Sequence, residues 1–145
     1  MKVYLDMCCL KRPFDDQLQA RINLESRAVE AVLAACRAGQ ADLIGSDALR
    51  FENSRNPNEQ RKGFVAKVLT LAKETVAHNE AIEARAIALQ AKGLRLLDAL
   101  HLSSAEASGT NIFCTCDDGL LNKARLLSQG PKVMSPVEVL REICP

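Results

Sequence analysis

The chain has no tryptophan, one tyrosine and four phenylalanines in 145 residues, so its core must rest on leucine, alanine, valine and isoleucine. No apolar run comes near the ~20 residues needed to span a bilayer. In the opening Met1-Lys2-Val3-Tyr4-Leu5-Asp6 an acid cuts off the apolar stretch at once, unlike a signal peptide, and a cytoplasmic location is expected. No Cys-x-x-Cys pair or histidine-rich segment is present, which argues against a structural zinc site. The six cysteines (Cys8, Cys9, Cys36, Cys114, Cys116 and Cys144) read as reduced thiols rather than a disulfide framework. There is no internal repeat, low-complexity segment or linker. A net charge of +1 neither demands nor excludes nucleic acid, because a local basic patch suffices. Arg12, Arg50, Arg55, Arg61, Lys62, Lys67, Lys123 and Arg125 are candidates for one.

An apolar fraction of 48% is ample for a core and rules out a disordered chain. The length suits a single domain over residues 1–145. Val3-Tyr4-Leu5 reads as a strand ending at Asp6, and the Pro- and Asp-containing stretch from Lys11 to Asp16 as a loop. A helix follows, with Leu24, Ala28, Val32 and Ala35 on one face beside Val29, Leu33 and Cys36, and Gly39 stops it. Leu43-Ile44-Gly45 is a second strand, after which Ser46 caps a short helix carrying Leu49, Phe51 and Glu52. Asn56 is a candidate N-cap for the next helix, with Pro57 at its first position and Glu59 reaching back; that helix runs through Phe64, Val68 and Leu71.

A short extended stretch falls near Thr75-Val76. Helices are expected from Ala81 to Lys92 and from Leu96 to Ser108, ended by Gly93 and Gly109. Asn111 to Thr115 is a strand. Asp117 and Asp118 open a helix that closes at Gly130, and Lys132-Val133-Met134 is the last strand. Ser135-Pro136-Val137-Glu138 is a capping box starting a final helix to about residue 143. Strands alternating with helices imply an α/β fold with a mostly parallel central sheet flanked by helices on both faces, in three layers.

Acids recur where elements change. Asp6 and Asp117 follow apolar strand runs, and in an open parallel sheet the carboxyl ends of the strands form the ligand-binding edge. Glu52 and Asp98 lie within reach of that edge. Carboxylates gathered there repel one another unless a cation neutralises them, and an all-oxygen donor set suits Mg²⁺ or Mn²⁺. Other duties remain open for each acid. Asp6 could cap a strand end, Asp98 could stabilise a helix start, and Asp117 or Asp118 could serve as N-cap. No serine or histidine triad is evident.

Four segments together resemble the PIN-domain family of metal-dependent ribonucleases. They are Val3-Tyr4-Leu5-Asp6, Ser46-Asp47-Ala48-Leu49-Arg50-Phe51-Glu52, Leu97-Asp98-Ala99-Leu100-His101-Leu102 and Phe113-Cys114-Thr115-Cys116-Asp117. Their order and setting span nearly the whole chain. The resemblance implies a three-layer PIN-like domain that hydrolyses RNA phosphodiester bonds with carboxylate-bound Mg²⁺ or Mn²⁺. Asp6, Glu52, Asp98 and Asp117 would be its catalytic acids, and Asp6, Asp98 and Asp117 its metal ligands. Ser46 and Thr115 would support the acids by hydrogen bonds, with Asp118 as a cap or outer acid. His101 is expected to be packed and hydrogen-bonded rather than catalytic.

Many small members are VapC-type toxins, which implies an antitoxin partner as well as an RNA substrate; the family's habit of pairing implies a homodimer. Arg12, placed just after the first strand, is expected to overhang the site and touch phosphate. Three competing readings are a non-catalytic PIN-like RNA- or protein-binding module, another phosphohydrolase and a dinucleotide-binding domain. A haloacid-dehalogenase-like enzyme would want an acid two residues after Asp6, where Cys8 stands. A dinucleotide site would want Gly-x-Gly-x-x-Gly after the first strand, which Met7-Cys8-Cys9-Leu10 lacks.

Overall fold

The computed structural model describes residues 1–145. Five strands, β1 (Lys2–Leu5), β2 (Asp42–Ser46), β3 (Glu74–Val76), β4 (Ile112–Cys114) and β5 (Lys132–Met134), form one sheet in the order β3-β2-β1-β4-β5. Every pairing is parallel, with Val3 opposite both Leu43 and Ile112. The sheet is thus wholly parallel, and its central strand is buried on both faces: Val3, Tyr4 and Leu5 are all core residues.

Eight helices surround it: α1 (Met7–Lys11), α2 (Ala20–Arg37), α3 (Asp47–Ser54), α4 (Glu59–Leu69), α5 (Glu80–Ala91), α6 (Leu96–Ala107), α7 (Asp118–Ala124) and α8 (Pro136–Ile143). α2 packs on α8 and α5 on α6, completing the three layers. One continuous cluster of mainly aliphatic side chains fills the core, with Tyr4 stacked on Phe113 at its centre.

Several local expectations shift. The expected loop from Lys11 to Asp16 is helical as far as Phe14: Asp6 Oδ1 accepts the Met7 amide at 2.8 Å and starts α1, which Lys11 ends, and Arg12–Phe14 form a 3₁₀ turn. One helical turn is too short for periodicity to reveal. α4 starts two residues later than expected. Asn56 Oδ1 accepts the Asn58 amide in an Asx turn around Pro57, and Asn58 caps the helix by accepting from the Arg61 amide. Leu24 is 57% exposed, because the inward position of that turn belongs to Glu25, which Arg12 and Arg21 neutralise. The helix after Asp117 ends at Ala124, well before Gly130.

The remaining expected strands and caps lie within a residue or two of the observed ones, including the full capping box at Ser135. Gly45 in β2 lets the α4–β3 connection come close, since a Cβ there would stand 3.3 Å from the Ala72 Cβ. Gly93, at φ 102°, makes the left-handed turn that aims the chain into α6 and so places Asp98.

From β1 the chain builds leftward through β2 and β3, then returns to the other side of β1 for β4 and β5. The reversal lies between β1 and β4, and their carboxyl ends open into the crevice where such sheets bind ligands. Asp6 follows β1 directly, and Asp117 follows β4 by three residues.

Candidate active site

A cavity of about 490 Å³ occupies that crevice, lined by Asp6, Glu52, Asp98 and Asp117 together with Cys8, Lys11, Asp15, Arg61, Arg95 and Leu97. Four acids from four separate elements thus face one space. Asp6 is almost wholly buried. Its Oδ1 holds the Met7 amide, and its Oδ2 accepts the Thr115 hydroxyl at 3.1 Å and the Cys8 thiol at 3.4 Å. Thr115 Oγ1 in turn accepts the Asp117 amide at 3.1 Å, so one buried hydroxyl ties the ends of β1 and β4 together.

Asp117 caps α7, its Oδ1 accepting the amides of Gly119 and Leu120. The cap leaves the other oxygen without a protein partner. Capping and lining the cavity are compatible duties. Asp98 stands in the first turn of α6 with Arg95 just before it.

Glu52 is held by a buried chain of hydrogen bonds. Its Oε1 lies 2.7 Å from His101 Nε2; His101 Nδ1 lies 2.7 Å from the Tyr4 hydroxyl, which lies 2.6 Å from Ser46 Oγ. Ser46 Oγ also accepts the Leu49 amide and caps α3, the helix that carries Glu52. Ser46 and His101 therefore act on the site through Glu52. Replacing His101 with Leu should cost on the order of 2–4 kcal/mol of stability, because it strips Tyr4 and Glu52 of a buried partner. Urea denaturation of the variant would measure it; wild-type stability would show that the relay contributes nothing.

The carboxylates are crowded, with Asp6 buried, Glu52 and Asp98 half-buried and Asp117 exposed. Burial first, then the neighbouring Cys8, pushes Asp6 up to about 7. Burial, then the charges of Asp6 and Asp117, raises Asp98 to about 6, partly offset by His101 and Arg95. Burial opposes charge on His101, but the Glu52 hydrogen bond and the surrounding carboxylates outweigh it and leave its pKa raised. No lysine or arginine forms an ion pair with Asp6, Asp98 or Asp117. An oxygen-only donor set with unneutralised charge fits a small hard divalent cation.

Two expected residues lie elsewhere. Asp118 is exposed and forms a bidentate pair with Arg21, outside the cavity lining. Arg12 does not overhang the site: its guanidinium is held by Asp15 and Glu25, each at 3.0 Å. The cations on the cavity wall are Lys11, Arg61 and Arg95. Arg61 bonds the Phe14 carbonyl. Lys11 and Arg95 went unrecognised in the sequence. The available signal was position, Lys11 five residues after Asp6 at the end of α1 and Arg95 directly before the Asp98 helix. A second cavity of similar size, between α7 and β5, has Glu138 as its only acid, and Arg125 pairs with it.

The chain is an open parallel α/β fold with a carboxylate-lined crevice at its topological switch point, where such sheets bind ligands. The PIN domain family model matches residues 24–126, most of the chain, and the chain belongs to the PIN domain family. Proteins of that family are generally nucleases. The matched span includes Glu52, Asp98 and Asp117 but not Asp6, which joins them through the β1–β4 pairing. No curated protein matches the sequence.

Among solved structures, PAE2754 from Pyrobaculum aerophilum is similar at 15% identity and a TM-score of 0.58, covering 99% of this chain and 98% of that one. VapBC2 from Rickettsia felis, bound to a DNA fragment from their promoter, is similar at 12% identity and a TM-score of 0.58, covering 93% and 98%. At such identities the likeness is one of fold. No helix is long and apolar enough to cross a membrane.

Proposed function

We propose that the chain is a Mg²⁺- or Mn²⁺-dependent endoribonuclease. The observation that carries this reading is the convergence of Asp6, Glu52, Asp98 and Asp117 on one crevice, three of them without an ion-pair partner. Asp6, Asp98 and Asp117 would hold the cation. When bound, it would lower the pKa of water and offset the charge of the phosphodiester. Thr115 fixes Asp6 relative to Asp117, and His101 fixes Glu52 by Oε1. Glu52 Oε2 has no protein partner and is free to take a proton from the attacking water. Hydrolysis of this kind does not require the RNA 2′-hydroxyl; RNA is the substrate that the family resemblance favours.

Lys11 and Arg95, which line the cavity, take the phosphate-binding part rather than Arg12. Arg95→Ala should weaken RNA binding and lower the log–log salt slope by about 0.7–0.9, the loss of one phosphate contact. Arg12→Ala should leave that slope alone. Binding across a salt series decides it, and an unchanged slope for Arg95→Ala would remove Arg95 from the interface.

The VapBC name of the Rickettsia felis neighbour supports a toxin role with an antitoxin partner, alongside the homodimer implied by resemblance. The test of the enzyme reading is incubation of purified protein with a mixed, structured RNA in Mg²⁺ or Mn²⁺ and in EDTA. Metal-dependent fragments bearing 5′-phosphates are expected. RNA binding with no cleavage in either cation would favour a non-catalytic module.

A further inference from the structure

Cys8 and Cys9 lie more than a hundred residues from Cys114 and Cys116, yet the β1–β4 register, Leu5 beside Cys114, brings all four together. Cys9 Sγ is 3.5 Å from Cys116 Sγ and 3.7 Å from Cys114 Sγ. The sulfurs of Cys8, Cys9 and Cys116 all lie within 4.8 Å of one another. A zinc ion with ~2.3 Å bonds to sulfur keeps its sulfurs roughly 3.7–4.0 Å apart, so small shifts would close the three around one ion. Cys9 and Cys116 are buried, whereas Cys8 is half-buried and lines the acidic cavity, giving a way in from solvent.

We propose that Cys8, Cys9 and Cys116 form a site for a thiophilic cation such as Zn²⁺, Cd²⁺ or Cu⁺, separate in ligand type from the all-oxygen centre beside it. Thiolates select such ions, while Mg²⁺ and Mn²⁺ prefer the carboxylates. On binding, the thiol protons pass to solvent and metal–sulfur bonds replace S–H bonds, with no change of oxidation state. Cys8 Sγ is 3.4 Å from Asp6 Oδ2, so an ion held by the sulfurs stands next to the most buried acid of the cavity. Its charge competes with a hard cation for Asp6. Trace thiophilic metal therefore switches the nuclease off, a consequence that rests on the function proposed above.

The experiment titrates reduced, chelator-stripped protein with Cd²⁺ and follows the ultraviolet sulfur-to-metal charge-transfer band. RNA cleavage in excess Mg²⁺ is followed separately with added Zn²⁺. The site predicts a band saturating at one ion per chain in the wild type and absent from Cys116→Ala. It also predicts Zn²⁺ inhibition that a chelator reverses. Loss of a supporting partner alone costs ~10–100-fold in metal affinity, so loss of a thiolate should raise the inhibiting Zn²⁺ concentration by about 100-fold or more. Cys116→Ala should keep its Mg²⁺-dependent cleavage, and circular dichroism would confirm its fold. Cys9→Ala supplies a second loss of ligand.

No band, or a band that survives in both variants, overturns the site. So does inhibition reversed by a thiol reductant but not by a chelator, which would mark a disulfide. A band without any cleavage in Mg²⁺ would support the thiol site while counting against the nuclease; cleavage without a band would do the reverse.

Discussion

Asp6→Asn is expected to lower RNA cleavage by roughly 10³-fold or more, about 4 kcal/mol of transition-state stabilisation, with the fold intact. The side chain is almost wholly buried at the end of the central strand, and both its oxygens are oriented, by the Met7 amide, the Thr115 hydroxyl and the Cys8 thiol. Asparagine keeps an oxygen for the Met7 amide and so preserves the cap of α1. It removes the negative charge on which a hard cation depends. Initial rates on end-labelled RNA, beside circular dichroism, measure the effect. Wild-type rates in the variant would remove Asp6 from the mechanism.

The same substitution should act in the opposite direction on stability. Burial pushes the Asp6 carboxyl up to about 7, whereas the unfolded chain holds it near the ordinary ~3.9. Between those values the folded state keeps a proton that the unfolded state has released. Stability of the cation-free protein therefore falls as pH rises from about 4 to about 7, and the loss is complete above 7. Asp98, raised to about 6, adds a smaller change of the same sign because it is half-exposed.

In EDTA at pH 8, Asp6→Asn should be more stable than wild type by on the order of 2–4 kcal/mol, and the gap should close near pH 4. Mg²⁺ should stabilise the wild type and not the variant. Urea denaturation at the two pH values tests this, and a variant less stable than wild type at pH 8 would contradict it. Electrostatic strain at a functional cavity is the expected form of a trade between activity and stability.

The layer order and the parallel sheet were legible because short apolar runs alternate with capped, periodic helices. Ser46 and the Ser135 box locate α3 and α8 by local chemistry that needs no tertiary context. α1 escaped notice because one turn has no period, and the start of α4 because Asn56 and Asn58 are equally good caps and only the turn around Pro57 decides between them. Leu24 was misplaced because burying Glu25 depends on Arg12, a partner that periodicity does not register.

The same ion pair explains why Arg12 lies off the cavity wall: a basic residue near a site is indistinguishable in sequence from one paired with a buried acid. Asp6 and Asp117 were readable from their strand ends. The Asp117 cap of α7 rests on the nearby Gly119 and Leu120 amides and was among the duties its position left open, whereas the turn of Asp118 to Arg21 depends on a side chain 97 residues away. The Tyr4–His101–Glu52 relay and the cysteine cluster are likewise products of strand order rather than of local spacing.

The measurement that bears most directly on the carboxylate centre is Mn²⁺ binding, followed by electron paramagnetic resonance at pH 8, for wild type, Asp6→Asn, Asp98→Asn, Asp117→Asn and Asp118→Asn. A cation held in the crevice should be bound by the wild type and by Asp118→Asn, and be weakened or lost in each of the other three. Equal binding by wild type and Asp6→Asn, or no binding by the wild type, would contradict the account.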